Sequence, residues 1–282
     1  MAGAVDPRAP IPLRDCGETL ILLPGYPPRM SCNKRRISTL AALVLAAACG
    51  TANPYQGMTA EQVYQIAVTE YEEGEYGDAI QARERLMVSF TGFERAEDAR
   101  MLLADAQFAD GNYILARSEY QRFQDRYPTS PRASEAALGV CRSLVALSPI
   151  PQRDQDYTEQ ALGVCRNVAV DYRGSPASEQ ADSLAEEMRL KLAEKEFLNA
   201  RFYHRRELFD SAIQYYEFVL ELYPDTEWAP QALKGIYEAN MAIGYDDLAE
   251  EARQRLLQEY PESQAAREIQ ANGATGLGDE VG

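Results

Sequence analysis

Residues Tyr113–Ala137 read YILARSEYQRFQDRYPTSPRASEAA, and the landmarks in this stretch return four more times along the 282-residue chain. In each copy an aromatic closes a helical pattern, at Phe90, Tyr127, Tyr172, Tyr223 and Tyr260. The next position is Pro128, Pro224 or Pro261 in three copies and Thr91 or Arg173 in the others. Twelve residues before that position stands an alanine every time: Ala79, Ala116, Ala161, Ala212 and Ala249. A small residue fixed at one point of a helix lets a partner helix approach closely, so the five copies predict five helix pairs. The aromatics are spaced by 37, 45, 51 and 37 residues, which implies an insertion in the second interval and an extended helix in the third.

The spacing of Ala116, Tyr120, Phe123 and Pro128 is similar to the small, aromatic, hydrophobic and Pro positions in the second half of a tetratricopeptide repeat. The expected fold is therefore all-α: five tetratricopeptide-like helix pairs in a right-handed superhelical solenoid, closed by a short C-terminal capping helix. Solenoid repeats touch only their neighbours, so 59–270 is expected to be one elongated domain.

Local signals place the elements. Thr59-Ala-Glu-Gln62 is a capping box for a first helix that runs to Gly74, with its partner over 76–90. Repeat two spans 94–110 and 113–127. Ser130 and Pro131 predict an N-cap and first-turn proline for 131–147, followed by the 148–156 insertion and a helix over 157–172. Ser175-Pro176 opens a helix without a breaker until Arg205-Arg206-Glu207, about 29 residues and roughly 43 Å long. It is expected to project beyond its neighbours. Helices over 208–223, 227–243, 246–260 and 263–270 complete the array, and 271–282 reads as a disordered tail.

The N-terminal quarter differs. Residues 1–29 have neither helical nor strand periodicity and read as an extension outside the mature protein. From Met30 the sequence MSCNKRRISTLAALVLAAACGT carries a basic segment and a twelve-residue, largely apolar stretch, Ile37–Ala48, before Cys49. That predicts a lipoprotein signal peptide over 30–48, lipidation at Cys49, and a tether over 49–58. An ordinary signal peptide cut near Ala48 is the alternative; a twelve-residue stretch falls short of the about twenty apolar residues that a bilayer span needs.

The formal charge of −16 understates the acidity of the rest, because residues 1–48 hold six Lys/Arg and three Asp/Glu, leaving 22 against 41. Nucleic acid is not expected as a partner. With one histidine, His204, and no CxxC spacing, neither a metal site nor a cofactor is expected. Cys141 and Cys165 fall in two antiparallel helices of one repeat, so a disulfide is conceivable in an oxidising compartment, although helical cysteines on apolar faces are more often free thiols. No nucleophile elbow, phosphate loop or facing carboxylate pair points to an enzyme.

From Ser148 to Ser263 the chain resembles a known family through LSPIP, LAEKEF at 192–197, ARFYHRRELFDSAI at 200–213, YPDT at 223–226 and IGYDDLAEEA. These blocks look like the BamD family of tetratricopeptide lipoproteins in the β-barrel assembly machinery. The resemblance implies a non-enzymatic scaffold anchored to the outer membrane by its lipid and facing the periplasm. Its implied partners are the barrel-forming subunit, other lipoproteins of the machinery and unfolded outer-membrane proteins. The alternative class is a periplasmic cell-wall enzyme or its repeat-containing regulator. Aromatics on or beside the first helices of repeats one and two, Tyr64, Tyr71, Phe93, Phe108 and Tyr113, are the candidate peptide-binding set. Arg201, Tyr203, Arg205 and Arg206, at the end of the long helix, are the candidate partner-docking set, because a cationic cluster on an acidic chain can orient a partner.

Overall fold

The computed structural model of the protein describes residues 54–275. The extension, the signal peptide, Cys49, most of the tether and residues 276–282 lie outside the described residues. Eleven helices follow in order: α1 (Ala60–Glu73), α2 (Tyr76–Ser89), α3 (Ala96–Ala109), α4 (Tyr113–Arg126), α5 (Ala133–Leu147), α6 (Asp156–Asp171), α7 (Pro176–His204), α8 (Phe209–Leu222), α9 (Trp228–Ile243), α10 (Asp246–Glu259) and α11 (Gln264–Thr275). They form five successive pairs, α1/α2 to α9/α10, with α11 packed on α9 and α10. The last helix runs past Gln270, the expected end of the array.

The recurring alanines sit where the pairs close: Ala79, Ala116, Ala161, Ala212 and Ala249 are all fully buried. Seven residues further, two helical turns along the same face, stand Leu86, Phe123, Val168, Val219 and Leu256, also buried. The closing aromatics occupy the C-cap of every second helix with non-helical backbone. Each first helix also touches the next first helix (α1 with α3, α3 with α5, α5 with α7, α7 with α9). Among the described residues no second helix approaches the next second helix that way. The first helices thus make a continuous inner row and the second helices an outer one, the arrangement of a tetratricopeptide-like solenoid.

The caps follow the sequence in two of three cases. Thr59 closes a capping box with Gln62, and the Ser175 hydroxyl accepts from the Ser178 N–H above Pro176. Ser130 does not cap: its hydroxyl accepts from the Arg132 N–H at 3.0 Å, only two residues on, and donates to Glu97. That turn delays α5 to Ala133, so the expected start at Pro131 is corrected.

Two further expectations change. The 29-residue α7 does not stand free, because its buried residues run from Ala177 to Ala200 and it packs on α5, α6, α8 and α9. Its last turn, from Arg201, holds no buried residue. Cys141 on α5 and Cys165 on α6 are not free thiols: they form a disulfide, with Cα atoms 5.0 Å apart and both residues sealed from solvent.

Candidate functional site

Two arginines at successive helix starts tie the inner row together. Arg95, the N-cap of α3, reaches back to α1, with its guanidinium 4.3 Å from the Tyr64 ring centroid and Nη1 3.2 Å from Glu61. It also pairs with Asp98 at 3.2 Å. Arg132, the N-cap of α5, lies 3.8 Å from Asp98, 3.9 Å from Asp105 and 2.8 Å from Glu135. A cation at a helix N-terminus opposes the helix dipole, and the flanking acids offset this. At the end of the ladder Tyr120 Oη donates to Asp105 Oδ1 at 2.6 Å. Burial holds the Asp105 carboxyl above its ordinary range, with the Tyr120 hydrogen bond opposing. Burial first, then Asp105, pushes the Tyr120 phenol up.

The five aromatics of the candidate peptide-binding set fall into three separate pairs. Tyr64 packs on Phe93 with centroids 5.7 Å apart and is buried beneath Arg95, whereas Phe93 keeps a half-buried face. Tyr71 meets Tyr76 at 5.6 Å, and Phe108 meets Tyr113 edge-on at 5.3 Å. These last two pairs are equivalent, 37 residues apart, and each straddles the turn between the helices of its own repeat. His204 and Phe209 repeat the contact in the fourth pair at 5.4 Å. Clamping the turn is therefore one role of Tyr71, Phe108 and Tyr113. All three remain half-buried, and Arg142 lies over the Phe108 ring at 4.6 Å.

The four residues of the candidate docking set likewise divide. Arg206 stacks on Phe202 at 4.0 Å, forming an exposed cation–aromatic platform. Tyr203 is turned inward and lies parallel to Tyr215, with centroids 5.2 Å apart and planes at 9°. Arg205 is exposed at the C-cap, where a cation complements the helix dipole.

Arg201 instead joins a cavity of about 360 Å³ that the sequence reading missed. Its walls include Phe197, Tyr216, Trp228, Lys234 and Gly235, with Glu227 and Glu238 at hand. Phe197 lies 5.0 Å from Trp228 and 5.7 Å from Tyr216, centroid to centroid. Burial, then the charge of Glu238, pushes the Tyr216 phenol up to about 12. One available signal was that Phe197 closes the LAEKEF block next to the chain's single tryptophan in the fold. Among the described residues no group of three potential metal ligands is gathered anywhere, and no helix is long and apolar enough to cross a membrane.

Comparison with known proteins follows the repeat array. A family model described as YfiO, outer membrane lipoprotein, matches residues 56–256. The putative outer membrane protein assembly factor BamD of Aquifex aeolicus (strain VF5) is 27% identical over 208 residues, covering 70% of this chain and 68% of that protein. The outer membrane protein assembly factor BamD of Xylella fastidiosa (strain 9a5c) is 27% identical over 237 residues, covering 79% and 81%. Its counterpart in Vibrio cholerae serotype O1 is 26% identical over 233 residues, covering 78% and 96%.

Proposed function

This chain belongs to the YfiO family of outer membrane lipoproteins, and on that premise we propose that it is a non-enzymatic scaffold for inserting β-barrel proteins into the outer membrane. The observation that carries the reading is the family match across nearly all of the helical array, joined by relatives named as outer membrane protein assembly factors. Acyl chains on Cys49 hold it to the periplasmic face of that membrane; two or more chains on one residue suffice for stable anchoring. The Cys141–Cys165 disulfide supports that placement, since such bonds persist in oxidising compartments.

Unfolded barrel proteins lie along the first helices of repeats one and two. There the half-buried faces of Tyr71, Phe93, Phe108 and Tyr113 offer apolar shelves, and the Arg95 and Arg132 ladder supplies polar partners for an extended backbone. The barrel-forming subunit docks at the end of α7 through Arg201, Tyr203, Arg205 and Arg206, and other lipoproteins of the machinery join the complex. Depleting the protein in cells tests the reading: outer-membrane porins should be lost while murein composition is unchanged. Altered murein with normal porins would instead indicate a cell-wall enzyme or its regulator.

A further inference from the structure

Where α3 packs between α2 and α4, an acidic chain gathers a surplus of cations. An open surface cleft there is lined by Arg100, Arg122, Arg126 and a single acid, Asp125. Arg122 and Arg126 are one helical turn apart on α4 and so share a face. Among the described residues Glu119 is the one carboxylate that pairs with this group, 3.6 Å from Arg100 Nη1 and hydrogen-bonded to Arg122. Among the described residues Arg126 has no carboxylate within ion-pairing distance. Arg83, 95% buried on α2, donates through Nε to the Ala99 carbonyl at 2.9 Å, while its Nη2 has no partner among the described residues. Arg100 Nε is likewise buried and unpartnered. The Arg83 guanidinium is pushed down to about 10, first by burial and next by the charge of Arg100. These two sealed donors do not face the cleft, so what they add to it is positive charge rather than a ligand contact.

We propose that this cleft binds a phosphate-class oxyanion, with Arg100, Arg122 and Arg126 as its ligands and Arg83 adding charge behind them. A tetrahedral oxyanion presents acceptors in several directions and can serve guanidinium forks from two helices at once, whereas a planar carboxylate fills one fork. The net charge of −16 gives an anion no long-range attraction to the chain, so binding must come from this local cluster. Two sources share the chemistry: free phosphate and the headgroup of an anionic phospholipid. The second rests on the membrane anchor proposed above; the site itself does not.

The purified full-length chain is titrated with inorganic phosphate against chloride at matched ionic strength, and floated with vesicles of phosphatidylglycerol or of phosphatidylcholine alone. Arg122→Gln with Arg126→Gln tests the ligands, both side chains being exposed enough to spare the fold. Arg153→Gln with Arg173→Gln removes the same charge elsewhere. Phosphate should bind the parent, and the Arg122/Arg126 variant should bind about tenfold more weakly or worse, with the control pair unchanged. Arginine-dependent flotation on phosphatidylglycerol identifies the headgroup as the source; phosphate binding without it identifies the free anion. Equal responses to phosphate and chloride, or equal losses in the two double variants, would overturn the proposal. So would an acidic peptide such as polyglutamate binding through these arginines where phosphate does not, since that would mark a protein-docking surface. Each outcome is read on the purified chain and is independent of porin loss on depletion.

Discussion

Tyr216 packs on Gly235 so closely that a Cβ added to the glycine would come within 2.3 Å of the ring. Tyr120 and Gly139 repeat the relationship at 2.6 Å. Each tyrosine stands four residues after a recurring alanine and also reaches back to the first helix of its own pair, to His204 or Asp105. The Tyr216 ring is held against Phe197 and His204 and cannot retreat. Gly235→Ala should therefore lose about 1–2 kcal/mol of stability, because overpacking outweighs the gain of about 1 kcal/mol in helix propensity. Gly163, exposed within α6 with nothing near a new Cβ, should show the opposite sign on change to alanine. Urea denaturation of both variants decides; a gain in stability in both would mean that propensity alone governs these glycines.

Cys165 occupies that same position in the third pair, four residues after Ala161, so there a disulfide to α5 replaces the tyrosine contact. Its loss through Cys165→Ser should cost about 2–4 kcal/mol, as for a cross-link closing a loop of this size, and unfolding should shift by a similar amount when reductant is present. Peptide mapping after alkylation under denaturing conditions checks the premise. Alkylated Cys141 and Cys165 in protein purified from an oxidising compartment would contradict it.

Glu207 is the one described non-glycine residue with positive φ, 61°, in the turn between α7 and α8. A side chain in that left-handed region costs about 1–2 kcal/mol, which glycine avoids. Glu207→Gly is expected to raise stability by about 1 kcal/mol once glycine's larger unfolded-state entropy is deducted. A lower melting temperature would mean that the Glu207 side chain makes a stabilising contact.

Burial raises the Asp105 carboxyl above its ordinary 3.8. The folded state then holds the proton more tightly than the unfolded chain, so stability associated with this group is fully present below pH 3.8 and declines as pH rises through the raised value. Asp105→Asn keeps an acceptor for Tyr120 and removes the titration. Melting temperatures of variant and parent should diverge in the variant's favour from about pH 4 toward neutrality. A gap that does not change with pH would exclude this origin.

The repeat was legible because close helix packing demands a small residue at one place, and Ala79, Ala116, Ala161, Ala212 and Ala249 mark it without exception. Residues four further on show why detail was harder to read: Arg83, Tyr120, Cys165, Tyr216 and Arg253 share a register but meet their neighbours by different chemistry. Ser130-Pro131 and Ser175-Pro176 are the same dipeptide, yet only Ser175 caps a helix, because the Ser130 hydroxyl is taken by Arg132 and Glu97. The length of α7 followed from its unbroken sequence. Its burial did not, since periodicity identifies an apolar face but not how many helices cover it. Aromatic composition located Tyr64, Tyr71 and Phe108, while the turn-clamping role of the Tyr71 and Phe108 pairs required their partners' positions.

Photo-crosslinking from single probes at positions 71, 93 and 108 to a peptide with the alternating aromatic and apolar C-terminus of a barrel protein tests the central claim most directly. Crosslinks from these positions, competed by unlabelled peptide and absent from probes on the outer row such as position 88, are the predicted result. Crosslinks confined to repeats four and five, around the Phe197 and Trp228 cavity, or none above background at any position, would contradict it.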